Sequence, residues 1–502
     1  MIVGIDLGTT FSLVSYVNAS GMPVTCPCRN NPQRFQTPSV VHIGQRGCLV
    51  GDVVEDLLAE EPGLEVCRFP KLSMGENVTV YTDHQGNTYS PEAISSLVLR
   101  KLRADADAAL NESITGVVIS VPAHFNEAQR RATTNAGRLA DLPILGLVEE
   151  PVAAATFFGL ESKRGEQSIF VFDIGGGTLD ATLLHATPKG LYVLATEGSK
   201  NIGGKNFDEA IMGLVREQFL AQHRVDVRND LQAWQRLRQF ATAAKLELSQ
   251  PGVGAITKPL LLAGRSARIT LTRDQFQNAI EPWLEACTVV CNDVLKAAGV
   301  QWNDVDDLIM TGGSSFVPAV ERLVRGMSGL PPERVRRQHP HASIAYGAAL
   351  LAEQLHGAGN TSAPPLRQMV TTNELGLRVF DSEKNSPVFH PLIEKNVPLP
   401  VSFKQTVYTR RENQQNVAVE VLQRKDGYSE AEMLGTFSFG PLHAPEKNYP
   451  IEIEMGYDAD GRVTVTARDS RSGKAIEREF GGKEEQELGR MFKKLEMLVI
   501  QD

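Results

Sequence analysis

Residues 170–180 read FVFDIGGGTLD, and residues 1–10 read MIVGIDLGTT. In each, a short run of apolar, β-favouring residues ends at an aspartate, Asp173 or Asp6, and a turn rich in glycine and threonine follows at once. Glycine permits positive φ and lets backbone N–H groups come close to a ligand. Successive N–H groups in such a turn form a concave anion site. A phosphate chain suits that concavity. The carboxylates repel phosphate directly, so they suit it through a hydrated Mg²⁺. Either turn alone reads as a β-turn with glycine at a strained position. Two copies, each with a glycine two residues after the aspartate and a threonine beyond it, read better as a phosphate clamp with two jaws. Neither copy is a Walker loop or a dinucleotide fingerprint.

The chain has 502 residues, room for two or more domains with sizeable cores. Its hydrophobic share of 42% and charged share of 22% are those of a soluble globular protein. A net charge of −9 argues against nucleic acid as the main partner. No apolar run is long enough to cross a membrane, which excludes a membrane partner of that kind. The N-terminus opens on a core strand, leaving no room for a signal peptide. Six cysteines in so long a chain do not form a disulfide framework. Cys26 and Cys28 flank a proline, Cys287 and Cys291 stand one helical turn apart, and neither pair has metal-ligand spacing. A cytoplasmic protein with reduced thiols is expected.

Residues 1–356 alternate strand-like and helix-like segments, the mark of an α/β domain. SITGVVISVPAHF (113–125) is a strand ending at Pro122, followed by a helix with Asn126 as N-cap. VDDLIMTGGSSFVPAVERLVRGM (305–327) is a strand, a Gly-Gly turn and an amphipathic helix. Residues 357–373 form a linker rich in Gly, Ser, Thr, Asn and Pro. From 374 to 480 the period becomes two, as in VAVEVLQ (417–423), and Asp460-Gly461 supplies a hairpin turn, so an antiparallel β domain is expected. Residues 481–502 close with a helix that places Leu488, Met491, Phe492 and Leu495 on one face. That face is expected to pack on the β domain.

Three further segments carry charge into this frame: Lys71 in PKLSMG (70–75), Glu149 and Glu150 at the head of a small-residue helix, and Lys245 with Ser249 one turn apart. Together the segments resemble the ATPase domain of the seventy-kilodalton heat-shock chaperones, the DnaK type. GIDLGTTFS, VPAHFNEAQRRAT, EEPVAAA, FDIGGGTLD, IGGKNFDEAI, MTGGSS and AYGAA are similar to that family's motifs and stand in its order. PLIEKNVPLP, VAVEVLQ and DADGRVTVTARD resemble its substrate-binding β domain.

The resemblance implies an actin-like ATPase domain of two lobes around a cleft, followed by a β-sandwich and a short C-terminal helix, a truncated lid. It implies phosphate binding by Gly8, Thr9, Thr10, Gly175, Gly176, Gly177 and Thr178, with Gly203 and Gly204 beside them. Asp6, Asp173 and Asp180 would organise Mg²⁺ largely through water, with K⁺ a candidate second ion. Lys71, Glu150 and Thr178 would act in catalysis: Glu150 on the attacking water, Lys71 on developing charge. Phosphoryl transfer needs mainly positioning and electrostatics. Lys245, Ser249, Gly312, Gly313, Ser314 and Phe316 would hold the adenosine of ATP or ADP. Val417 and Arg410 would face a bound peptide.

The implied function is ATP-controlled binding of unfolded or extended polypeptide segments in protein folding and the stress response, served by a J-domain co-chaperone and a nucleotide exchange factor. A nucleotide-gated regulator of one dedicated partner is the alternative, and a small-molecule kinase of the actin-like superfamily a more distant one. The chain departs from the family at several places. Phe316 replaces an arginine beside the adenine, which removes a cation; Thr242 replaces a ribose-binding glutamate; His341 replaces an aspartate. Gly146 and Glu149 replace residues near the J-domain partner's footprint. The linker lacks the family's apolar run and its aspartate, which sets its coupling apart. Arg410 and the polar loop Asp381 to Ser386 point to acidic or polar segments, and the short C-terminus to their rapid release even with ADP bound.

Overall fold

Two central sheets repeat one plan. In the first, Ile2–Asp6 pairs in parallel with Gly116–Val121 and antiparallel with Phe11–Val17. In the second, Gln167–Ile174 pairs in parallel with Asp307–Thr311 and antiparallel with Leu179–Thr187. Each aspartate turn therefore leaves the middle of a sheet and returns as the adjacent antiparallel strand. The computed structural model describes the chain to Gln501, apart from residues 46, 62, 162–165, 338, 357–365, 382–383, 426–429, 444–445, 459–460, 481–484 and 497. Much of the expected linker, Asp460 of the hairpin turn, and Ser382 and Glu383 of the polar loop lie outside the described residues.

The sheets belong to two lobes. The first orders its strands Ile144–Glu149, Gly116–Val121, Ile2–Asp6, Phe11–Val17, Pro23–Thr25, with Thr37–Pro38 at the side; the second runs Val335–Arg336, Asp307–Thr311, Gln167–Ile174, Leu179–Thr187, Gly190–Ser199, Leu366–Gln368. Helices Glu150–Glu161 and Ser343–His356 cross between them, and their alanines share one core with residues of both sheets. A side chain at Gly4 would meet the backbone of Ala349 at 2.1 Å, and one at Gly347 the carbonyl of Ala153 at 1.8 Å. These small residues let helix and sheet backbones close on the axis where the lobes meet. The arrangement is the two-lobed α/β architecture expected.

Residues 374–480 form two four-stranded antiparallel sheets packed face to face around Val421, Phe439, Tyr449, Ile451, Ile453 and Val465. Alternation of buried and less buried positions along Pro450–Tyr457 and Val463–Asp469 places the apolar set inward. These two strands pair as the hairpin the sequence pattern called for.

The sandwich rests on the first two lobes. The linker, despite its polar composition, adds Leu366–Gln368 as a parallel edge strand beside Gly190–Ser199. Thr372 donates to the Phe125 carbonyl at 3.4 Å, and the Asn126 side chain to Glu432 at 3.0 Å. Lys395 and Lys425 both pair with Glu197, and the Asn396 side chain accepts from the Thr196 amide at 3.0 Å. Asn126 also caps helix Glu127–Leu139 through a complete capping box, as expected.

Glu127, at that contact, has its carboxyl pushed up to about 7, first by burial and further by Asp458 and Glu479 of the sandwich, against Arg130 and Arg131. An unfolded glutamate titrates near 4.3. Between those values the folded chain holds a proton that the unfolded chain has lost, so stability falls as pH rises from about 4.5 to 7 and then levels. With solvent screening the expected loss is about 1–2 kcal/mol. Thermal unfolding at pH 5.5 and pH 8 should show it, and Glu127→Gln should flatten that part of the slope; an unchanged slope in the variant removes Glu127 from the interface electrostatics.

The C-terminal helix Glu485–Glu496 corrects the sequence expectation. It packs on the first lobe rather than on the sandwich: Leu495 is fully buried in that lobe's core, with Leu488, Met491 and Phe492 against it. Arg100 donates to the Leu495 carbonyl at 2.7 Å, and Lys494 to that of Thr88. Ile500–Gln501 then pairs in parallel with Gly47–Val50. Periodicity showed that the face is buried but not what buries it. Leu495→Asp is expected to release this segment and speed hydrogen exchange at the Cys48 amide, which donates to the Val499 carbonyl at 3.0 Å, at least about tenfold. Unchanged protection there contradicts the packing. All six cysteines are free and buried; burial pushes the Cys26 and Cys67 thiols up to about 12. No helix among the described residues is long and apolar enough to cross a membrane.

Candidate functional site

The two aspartate turns face each other across one cavity of about 910 Å³ between the lobes. Gly8, Thr9 and Thr10 line it from the first lobe, and Gly175, Gly176 and Thr178 from the second. Ser12 accepts from the Gly8 amide at 3.1 Å, and Ser39 donates to the Gly8 carbonyl at 2.8 Å, which fixes the first turn. The second is fixed by the Gly175 amide on the Thr178 carbonyl and by Ser314 donating to the Gly175 carbonyl at 2.7 Å. Glycine is required where the jaws close. A side chain at Gly176 would reach Thr10 at 1.9 Å, and one at Gly203 would meet Gly177 backbone at 2.7 Å. Gly177 and Gly203 thus form the wall behind the cradle. Helix Gly204–His223 begins there, its amides at Gly204 and Lys205 bonded to the Gly175 and Gly176 carbonyls.

Lys71 sits on the short helical turn Pro70–Ser73 and is buried. It pairs with Glu150, the first residue of helix Glu150–Glu161. Asp6 and Asp173 line the same cavity, and Asp180 is buried behind it. Burial raises the carboxyl of Glu150 to about 7, with Asp6 and Asp180 adding repulsion and Lys71 opposing it. Asp173 is raised well above the carboxylate range by burial and then by Glu150, Asp180 and Asp6; Asp6 is raised by burial, with Lys71 and Ser120 pulling it down. Four buried carboxyls with one lysine among them leave surplus negative charge if all ionise, and this crowding helps hold Glu150 and Asp173 above their usual range.

Two buried oxygens there, Asp173 Oδ1 and Asp180 Oδ2, have no protein hydrogen-bond partner. No group of three or more Asp, Glu, His or Cys side chains among the described residues stands close enough to ligate an ion directly. Surplus charge, orphaned oxygens and this spacing fit a hydrated divalent cation rather than a dehydrated one.

At the far end of the cavity lie Lys245, Ser249, Gly312, Gly313, Ser314 and Phe316, brought together as expected. Lys245 donates to the Gly204 carbonyl at 3.0 Å and pairs with Asp208 at 2.8 Å; Thr242 donates to Asp208 at 3.0 Å. Gly312 adopts φ 79°, and a side chain there would strike the Ile174 carbonyl at 2.3 Å. The Phe316 ring stacks on His341 at 4.9 Å, and the Arg337 guanidinium lies 4.7 Å from its centre. A cation is therefore present beside Phe316 after all, supplied by another position.

His124, Ser120 and Asp208 were missed as site residues. His124 approaches Asp180 Oδ1 with its amide at 3.3 Å and with Nδ1 at 3.0 Å, and Ser120 donates to Asp6 at 2.9 Å. The signal for both was the strand 116–121 and its exit, which parallel pairing sets beside Ile2–Asp6. Glu149 is buried and bonded to Arg130 at 2.7 Å, so it presents no surface to a partner. In the sandwich, Val417 opens its strand partly buried against the core. Arg410 is exposed and lies over the Phe380 ring, 3.3 Å from its centre.

The family model described as Hsp70 protein matches residues 67–502, most of the chain.

Proposed function

Because the chain belongs to the Hsp70 family, we propose that it is an ATP-dependent chaperone that hydrolyses ATP to ADP and phosphate, and so governs how its β-sandwich holds extended polypeptide segments. We assign residues 1–356 to the ATPase domain, 357–373 to the linker, 374–480 to the polypeptide-binding domain and 481–502 to the terminal segment. The observation that carries the reading is the buried Lys71–Glu150 pair set among Asp6, Asp173 and Asp180, where two glycine turns open into one cleft.

In this reading the remaining free amides of the turns at Gly8–Thr10 and Gly175–Thr178 cradle the phosphates, and helix Gly204–His223, whose first amides hold the Gly175 and Gly176 carbonyls, braces the second turn. Lys245, Ser249, Gly312, Gly313 and Ser314 hold the ribose side, and Phe316 stacks on the base. Asp6, Asp173 and Asp180 would hold Mg²⁺ through its waters, with K⁺ a candidate companion; the ion would supply positive charge to the phosphate oxygens. Glu150, with a carboxyl near 7, orients the attacking water and takes up its proton. Thr178 hydrogen-bonds the γ-phosphate side, and Lys71 stabilises charge that grows in the transition state.

The segment His124–Glu127 links the two activities. Its first residue contacts Asp180, and its next three contact the linker and sandwich through Thr372, Glu432 and Gln423. A change at the catalytic carboxylates thus has a short route to the docked sandwich. A J-domain co-chaperone and an exchange factor are proposed as partners, in a cytoplasmic setting. The exposed Arg410–Phe380 stack favours a second reading, regulation of one dedicated partner, because a cation on that surface suits acidic segments better than the apolar ones a general binder takes.

Removing the metal tests the site. Asp6→Asn and Asp173→Asn are each expected to weaken Mg·ATP at least about tenfold more than ATP measured in EDTA. Equal losses with and without Mg²⁺ mean that these aspartates support the fold of the turns instead.

A further inference from the structure

The sandwich is joined to the lobes at both of its ends. Before it, the linker strand Leu366–Gln368 pairs with Gly190–Ser199 of the second lobe. After it, the last strand Ala475–Phe480 is followed by helix Glu485–Glu496 on the first lobe. The two attachments differ in kind from the seat between them. The sandwich keeps a core of its own and meets the lobes through polar, partly exposed contacts such as Lys425–Glu197 and Asn126–Glu432. Such contacts each add little in water. The terminal segment instead shares the first lobe's core: Leu495 is buried with Val3, Ile94 and Leu97, and Leu498 and Ile500 pack against that core.

Polar groups fix the segment further. Arg100, on helix Pro91–Leu110, donates to the Leu495 carbonyl at 2.7 Å and to the Leu139 carbonyl at 2.8 and 3.2 Å. One guanidinium thus serves the carbonyl ends of two helices, where a cation is favoured. The Lys494 ammonium lies 4.2 Å from the centre of the Tyr89 ring. Past the helix, Ile500–Gln501 completes a four-stranded sheet with Gly47–Val50, Val40–Gly44 and Cys67–Arg68. A side chain at Gly47 would meet the Val499 carbonyl at 2.4 Å, so the lobe carries a glycine where the segment crosses it. An element that completes a lobe's core and sheet opens with that lobe and not with a docked neighbour.

We infer that residues 485–501 are a fixed part of the first lobe and anchor the far end of the sandwich there, so that the sandwich undocks by swinging between two anchors. Phe480 and Glu485 stand at most about 18 Å apart, the span of that stretch fully extended. Held within this reach, an undocked sandwich faces its seat at high effective concentration and returns to it readily. The helix, committed to the lobe, covers no segment bound to the sandwich in either position. The anchor does not depend on the nucleotide reading of the cleft.

Replacing residues 481–484 of the full chain by the recognition sequence of a site-specific protease tests this, because cutting there severs the anchor and removes no contact described above. Hydrogen exchange is compared before and after the cut, without nucleotide and with Mg·ATP. The Cys48 amide, which donates to the Val499 carbonyl, is expected to stay protected after the cut. The Thr196 amide, which donates to Asn396 of the seated sandwich, is expected to exchange at least about tenfold faster. Loss of protection at Cys48 means that the segment is held only by its tether and overturns the fixed anchor. Unchanged exchange at Thr196 in both conditions overturns the two-point hold. In the uncut chain with Mg·ADP, Cys48 should keep its protection even where Thr196 opens; opening of both together makes the segment part of the moving sandwich and overturns the inference. Where nucleotide leaves Thr196 unchanged, the proposed control of docking fails, and the cut chain still decides the anchor.

Discussion

Lys71→Ala is expected to slow single-turnover ATP hydrolysis about a thousandfold while changing nucleotide affinity less than about tenfold. Interactions that strengthen in the transition state raise the rate, whereas those made equally in the ground state change affinity alone. Lys71 is the cation shared by Glu150, Asp6 and Asp173, and it is buried with them. Its removal takes away charge stabilisation and lets Glu150 rise further, so that the base is protonated at neutral pH. The variant also leaves a buried carboxylate without its partner, which costs about 3–5 kcal/mol if the acid stays ionised. The neutral double variant Lys71→Met/Glu150→Gln separates the two effects. It should recover most of the stability and none of the hydrolysis. Wild-type turnover in a folded Lys71→Ala chain removes the lysine from the chemistry.

Gly203→Ala and Gly213→Ala lie ten residues apart at the start and within one helix, and are expected to act in opposite directions. A methyl at Gly203 meets the backbone of Gly177 at 2.7 Å, and backbone cannot rotate away as a side chain can. The second phosphate turn must shift, and the cradle with it. Nucleotide affinity should fall at least about a hundredfold, since several amide–phosphate bonds are lost together. A methyl at Gly213 meets nothing within 4 Å. Replacing glycine by alanine inside a helix stabilises it by about 0.5–1 kcal/mol, so that variant should melt higher and bind normally. Equal nucleotide affinity in both variants means the turn does not cradle phosphate.

Most of the cleft was legible because its chemistry lies in short local patterns. An aspartate closing a strand before glycines and a threonine carries its own geometry, and the duplicated motif foretold two jaws. Lys71 and Glu150 stand far apart in the chain, and resemblance rather than periodicity joined them. What stayed hidden depends on tertiary neighbours. The apolar face of helix Glu485–Glu496 says that it is covered, not that the first lobe covers it. The loss of an arginine at Phe316 was plain, but its replacement by Arg337, 21 residues on, follows from how the chain folds back after helix Pro318–Ser328. Resemblance set Glu149 near a partner's footprint, whereas the fold buries it against Arg130. The linker's polar composition gave no hint of an edge strand, because backbone pairing with Leu191 and Tyr192 makes little demand on side-chain type.

The proposed function turns on one link, nucleotide control of whether the sandwich stays docked. Hydrogen exchange at the Thr196 amide reads that link directly, because its partner is Asn396 beyond the linker, at 3.0 Å. The amides of Leu366–Gln368 report the linker strand in the same experiment. With Mg·ATP held unhydrolysed by Lys71→Ala, both should stay protected. With Mg·ADP in the wild-type chain, both should exchange at least about tenfold faster as the sandwich leaves. Equal protection in the two states, with the cleft shown by titration to be full in each, contradicts nucleotide control of docking and with it the proposed function.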